Sequence, residues 1–398
     1  MVEKNAAITL TVAAFAAGAL GATGVSVAPS AKATCASLFG FSTDPARCTS
    51  SPLGIAVAIG EGAGARADGL LGVAFAAGPD SLADNSAGAL NVAVQLGANG
   101  TAVADGFLNI AASVSLGTTV PNGSEVRAQG GFGNIALNLF GDGTQPPDEG
   151  LSVVADGILN FAANLGGADN SVLAGRNGDN GVLNAAVSML GTGSNVVAGN
   201  GILNAAAQLG GTGNRAFALN GTALAAAQFG GSGNEVYARN GSALAAAQMN
   251  GSDNQVDAKN GFLNGAAQFG GTGNVVIAAN GAANSASQIG GDYNTVLAGG
   301  DGGADGYFTS AFSVLSSGRD ALHRNSVLAS PGPLAIAGSV GQDSATIVQN
   351  GPGINVNRSS PAAARRASAT TRPTQGGTIA ANGGTGKASA GARATARR

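Results

Sequence analysis

Tryptophan is absent from the 398 residues, and histidine occurs once, at His323. Cysteine occurs twice, at Cys35 and Cys48, while aromatic residues make up 4% of the chain and charged residues 10%. Each scarcity removes a class of protein. One histidine and two cysteines are too few for a His cluster or a Cys-rich metal site. A globular domain ordinarily carries about 25% charged residues, and large aromatics dominate most cores. Disorder throughout is also excluded, because it needs low hydrophobicity with high net charge. Here 44% of the residues are hydrophobic and the formal net charge is −3. Chemical motifs are missing as well. No Gly-Lys-Ser/Thr phosphate loop, paired-His zinc motif or Gly-x-Ser-x-Gly elbow occurs. What is present in excess is glycine, at 67 residues, in a chain whose bulk comes from Ala, Val and Leu.

The first 33 residues read as an address. Lys4 precedes an apolar run from Ala6 to Leu20, and Ala31-Lys32-Ala33 forms an A-x-A pattern before Thr34. A charged start, a short apolar core and a small-residue exit describe a secretory signal peptide. The run is too rich in Ala, Gly and Thr for the ~20 strongly apolar residues of a span, so no transmembrane segment is expected after cleavage. In an exported chain Cys35 and Cys48 are expected to form a disulfide, closing a cap over residues 34–50.

From residue 51 to 357 a repeat governs the fold, most regularly over 200–298. Gln208, Gln228, Gln248, Gln268 and Gln288 are spaced by twenty, as are Asn214, Asn234, Asn254, Asn274 and Asn294. Asn-Gly pairs at 200, 220, 240, 260 and 280 keep the same period. Between them, uniform columns (Ala218, Ala238, Ala258) alternate with variable ones (Leu219, Arg239, Lys259). That alternation has the period of a strand with one buried face. Two strands, near 203–209 and 214–219, and two Gly/Asn corners make one coil of a β-solenoid. The fold expected is therefore all-β, with about 14 coils from 51 to 357. The Asn column should stack as an amide ladder, and the Gln column is its candidate counterpart in the first strand. Arg239, Lys259 and Glu235 are expected to be exposed. Beside Gln208 runs an apolar column, Leu209, Phe229, Met249, Phe269 and Ile289. If Gln208 points inward, this stripe points outward as a self-association or lipid-contact patch. The opposite parity would bury it, and the pattern leaves both open. Insertions near 121–124, 145–149 and 176–180 are expected as loops at corners.

The segments Gln208-Leu209-Gly210-Gly211-Thr212-Gly213-Asn214 and Gln268-Phe269-Gly270-Gly271-Thr272-Gly273-Asn274 resemble the curlin repeat of secreted subunits that polymerise into bacterial surface amyloid. The turn here is one residue longer than in curlin, Asn220 stands where that family has a second Gln, and the coils are more numerous. The resemblance implies a cross-β solenoid more than it implies fibres. The Ala/Gly/Asn texture is also similar to exported glycine-rich envelope proteins of actinobacteria and mycobacteria. Gly230-Gly231-Ser232-Gly233-Asn234-Glu235 resembles a calcium nonapeptide only superficially. Arg215, Glu235, Gln255, Val275 and Thr295 fill the Asp position, so the several oxygens that calcium needs are lacking.

The remaining candidates are sparse. His323, Asp320 and Ser326 share a segment, but a lone His beside Arg319 and Arg324 reads as a solvated loop. Glu235, Asp253, Asp257 and Asp292 read as scattered carboxylates. Residues 358–398 hold eight basic groups and no acidic one, so subtracting +8 from −3 leaves −11 for residues 1–357. This tail is expected to be disordered and to meet anionic polymers rather than a specific nucleic acid. The functional expectation is a secreted or cell-envelope structural or interaction protein, with no cofactor, metal or catalytic residue. Its expected partners are further copies of itself or envelope polymers. The alternatives are a curlin-like fibre subunit and an exported carbohydrate-active β-helix with its site around 107–160 or 307–335.

Overall fold

The computed structural model describes residues 34–115, 124–142, 151–175, 181–300 and 305–359, which form strands and turns without a helix. All of these up to Arg358 belong to one compact unit. The expected signal peptide, the basic tail beyond 359 and, except for Ser124, the three insertions lie outside the described residues.

The architecture is a parallel β-solenoid of about 14 turns. One sheet has 17 strands and the other 19. A coil contributes one strand to the first sheet and one strand, or two short ones, to the second, and the twenty-residue spacing appears directly in the pairing. Ala205–Leu209 pairs in register with Ala225–Phe229, so that Gln208 meets Gln228. Arg215–Thr222 pairs with Glu235–Ser242 in the same manner. Register survives the insertions: Ile110–Val114 aligns with Ile135–Leu139, although the coil between them is longer.

Alternation sets the core. In Ala205–Leu209 the burial pattern places Ala206 and Gln208 inside, and Ala205, Ala207 and Leu209 outside. The inward column through Ala206 is alanine from Ala56 to Ala337 without a break. Facing it, Val236, Val256, Val276 and Val296 of the second sheet are fully buried, as are Ala238, Ala258 and Ala278. Alanine against valine fills a core too thin for aromatic rings, which accounts for their scarcity. Against expectation, Glu235, Arg239 and Lys259 are half-buried rather than exposed, because Glu235 lies against Arg215 and Tyr237 while Arg239 and Lys259 lie against Asp257. The second strand also runs longer than expected. It continues through Asn220-Gly221 to Thr222, because the corner glycine keeps its place in the ladder, Gly201 opposite Gly221.

The first end of the stack differs from the rest. Thr34–Leu38 runs antiparallel to Ile55–Ile59, and Phe41–Ser42 folds back antiparallel onto it. Cys48–Ser50 begins the second sheet beside Gly64–Ala67. The Cys35–Cys48 disulfide, with Cα atoms 5.8 Å apart, joins the two sheets across the end of the core.

Candidate interaction surface

The inward polar columns are structural. Asn234, Asn254, Asn274 and Asn294 each donate a backbone N–H to the side-chain Oδ1 of the preceding Asn, at 2.8–3.1 Å. The Asn234, Asn254 and Asn274 amides also donate to the carbonyls of Gly251, Gly271 and Gly291 in the next coil. Asn214 starts the ladder and donates to Gly231 O at 3.1 Å. Gln208, Gln228, Gln248, Gln268 and Gln288 are buried and turn their amides onto the corner backbone, each bonding the carbonyl two residues on. Gln228 also donates to Gln248 at 3.0 Å. These amides satisfy corner groups that alanine could not reach.

Two further ladders escaped the sequence reading. Asn109, Asn134, Asn160, Asn184 and Asn204 are buried and linked in series, each backbone N–H donating to the Oδ1 of the preceding Asn. Their signal was the Leu-Asn or Gly-Asn pair that opens each coil, obscured by irregular spacing. The corner residues Asn200, Asn220 and Asn240 form an exposed ladder of side-chain amides at 3.1–3.2 Å.

With Gln208 inside, the apolar stripe points outward. Leu209, Phe229, Met249, Phe269 and Ile289 are 39–52% exposed. An apolar groove of about 320 Å³ runs between Phe229, Ala247, Met249, Ala267, Phe269 and Ile289. The stripe belongs to a larger surface. The three outward columns of the first sheet hold no charged residue from Ile55 to Val340, and Ser285, Ser287 and Ser310 are their only hydroxyls. Arg358 closes the last strand.

The second sheet carries the charge. Arg215 donates to Glu235 at 2.8 Å, and Tyr237 OH donates to the other Glu235 oxygen at 3.1 Å. Phe217 stacks on Tyr237 with ring centres 5.3 Å apart, and Arg239 lies 4.9 Å over the Tyr237 ring. Arg239 also forks onto Asp257 at 2.7 and 3.3 Å, with Lys259 3.7 Å away. Asp257 is thereby fully buried although it faces outward. Its hydrogen bond is the main reason the Arg239 guanidinium is held above its usual range. Burial, followed by the Glu235 charge, pushes the Tyr237 hydroxyl up. Asp257 is therefore a braced ion rather than one of a scattered set. Asp292 serves a corner instead, accepting from Thr272 N at 2.7 Å, and Asp253 occupies a turn at φ 53°.

An open groove of about 340 Å³ on this face is lined by Glu125, Arg127, Ser152, Val154 and Leu173. Its one carboxylate is paired with Arg127. His323 Nδ1 meets Asp320 at 2.9 and 3.0 Å in an exposed turn. The His323 backbone N–H, and then its ring, hold the Asp320 carboxyl below its ordinary range. Ser326 lies in the strand Asn325–Ala329, where its N–H donates to Ala345. Among the described residues no cluster of three or more His, Cys, Asp or Glu could hold a metal ion, and no helix is long and apolar enough to cross a membrane. No family model matches the sequence, and no curated protein or solved structure matches it either.

Proposed function

We propose that the protein is exported and acts at the cell envelope or beyond it as a non-catalytic structural or interaction protein, with the outer face of the first sheet as its contact surface. One observation carries this reading: the outward columns are uncharged for almost the whole length of the first sheet, while the second sheet holds the ion pairs. Soluble monomers rarely expose an apolar patch above a few hundred Å², and larger ones mark contact sites. The signal-like residues 1–33 support export. The basic residues after 358 suit an anionic envelope polymer. Fractionation of cells carrying the native chain should recover it in the envelope or medium, beginning at Thr34. Recovery from the cytoplasm with Met1 retained would refute export. Turnover in a glycan-hydrolysis panel, abolished by Glu125→Gln, would replace the reading with a carbohydrate-active one.

A curlin-like fibre subunit is the second reading. It is supported by the in-register parallel stacking and by the buried Gln and Asn columns, the features that the repeat shares with that family.

A further inference from the structure

The outer face of the first sheet is large enough for a stable protein partner, and its side chains vary along the stack in a way that indicates which one. Its parallel strands run from Ile55–Ile59 to Gly353–Arg358, fifteen once the two antiparallel strands at the first end are set aside from the 17. At ~4.8 Å per strand and ~3.3 Å per residue, the face measures roughly 70 by 16 Å, or on the order of 1,100 Å². A standard interface takes about 800 Å² from each partner.

Bulk is distributed unevenly. In the first outward column, Ile55, Val73, Val92, Ile110, Ile135 and Phe161 precede Ala185, Ala205, Ala225, Ala245, Gly265 and Ser285. The middle column follows the division less strictly, with Val57, Phe75, Val94 and Leu137 interrupted by Ala112 and Ala163 before Ala207, Ala227, Ala247 and Ala267. In both columns bulk returns on the last three strands, as Phe312, Ile336, Ile354 and Val356. Two sheets packed face to face interdigitate best when large residues meet small ones. A second copy laid across the face in the same axial direction would set Ile135, Leu137 and Phe161 on themselves and leave a gap between the small residues from Ala205 to Ala267. A copy turned end for end about the eighth strand, Ala205–Leu209, sets the strands that carry Ile110, Ile135, Leu137 and Phe161 on those that carry Ser285, Gly265, Ala267 and Ala245, and leaves bulk on bulk only at the outer strands.

We infer that two copies of this chain pair through the outer faces of their first sheets, in opposite axial directions, about a two-fold axis near Ala205–Leu209. This rests on the proposed reading of that face as the contact surface and adds the identity of the partner. Such an interface is isologous and closes at two copies. A lipid surface is the weaker occupant. Interfacial elements hold Lys or Arg beside the apolar face and Trp or Tyr at its rim, whereas the chain has no Trp and the face has no basic residue before Arg358.

The full-length exported protein should sediment at equilibrium with twice the mass of one chain. Ala207 and Ala247 are exposed on the middle column, so a charge at either can be solvated in a free monomer. The double variant Ala207→Glu with Ala247→Glu should halve the mass while keeping the far-ultraviolet spectrum and melting profile. Arg215→Glu, on the opposite face, should leave the mass doubled. Single cysteines report direction through a short bismaleimide. Ala207→Cys, at the mid-stack strand, should cross-link to its own copy. Val57→Cys should not, but should cross-link when mixed with Val356→Cys. A doubled mass that survives the two glutamates, or self-linking of Val57→Cys, overturns the inference. So does a monomeric wild-type protein. If that monomer binds phosphatidylcholine vesicles and loses binding with Ala207→Glu and Ala247→Glu, the face is still a contact surface and only the partner was wrong. If it binds neither vesicles nor a hydrophobic dye, the proposed function falls with the inference.

Discussion

Asp257 occupies a column whose neighbours are Val197, Phe217, Tyr237, Ile277 and Leu297. A carboxylate survives there because Arg239 forks onto it while resting on Tyr237. Removing one partner of a buried pair costs more than removing both, since a stranded charge keeps its desolvation penalty. Arg239→Ala should therefore lower stability by about 2 kcal/mol, less than for a fully buried pair because the guanidinium is partly solvated. Adding Asp257→Val should restore most of the loss in chemical denaturation. Asp105 differs in sign. Burial is the main influence and raises its pKa, Asp84 acts in the same sense, and the Ala87 N–H and Arg127 oppose them. With the folded pKa above the unfolded one, its contribution is fully present below the unfolded pKa and is lost as pH rises through the folded value. Asp105→Asn keeps an acceptor for Ala87 N and should raise the melting temperature at pH 7. That advantage should shrink as pH falls into the carboxylate range. A constant advantage at every pH would show that the charge is not the cause.

At the scale of the coil, the corner is the demanding part, because one backbone shape must recur at each level without breaking the ladder. Gly210 and Gly211 both have positive φ, at 64° and 92°, but their surroundings differ. A Cβ on Gly210 would meet nothing within 4 Å, whereas one on Gly211 would lie 2.3 Å from the Gly231 carbonyl oxygen. Gly210→Ala thus carries only the left-handed strain, about 1 kcal/mol. Gly211→Ala must also displace the coil below and should cost about 3 kcal/mol or more. Thermal melts of the two variants separate these cases, and equal shifts would mean that coils at the corner are looser than the hydrogen bonds indicate.

For the whole stack, the problem is its ends. Unpaired strand edges template further pairing, and in-register parallel sheets are effective templates. The antiparallel strand Thr34–Leu38 and the Cys35–Cys48 bridge close the first end with a strand of opposite direction, which offers an incoming coil the wrong ladder. At the other end, Pro331, Pro333 and Pro352 accompany the last coils, and proline cannot donate to a ladder. Removing residues 331–398 should expose the regular strands Ser310–Val314 and Asn325–Ala329 and speed thioflavin-positive fibre growth. Fibre growth by the intact chain at the same rate would favour the fibre-subunit reading.

The sequence by itself determined the solenoid, its coil length and its thin Ala/Val core, because a period of twenty containing a period of two has few other physical solutions. The twenty-spaced Asn column is legible for the same reason: identical residues at identical heights must stack. Three features were decided only by the tertiary structure. The first is the parity of Ala205–Leu209, since alternation separates two faces without saying which is inward; the corner carbonyls drew the Gln amides inside and turned Leu209 and Phe229 outward. The second is the bracing of Asp257, whose partner Arg239 lies eighteen residues before it and meets it only once adjacent coils stack. The third is the continuity of the apolar face. Its columns run from Ile55 to Val340 through coils of unequal length, and only the register of the strands, not their spacing in the chain, brings them into line.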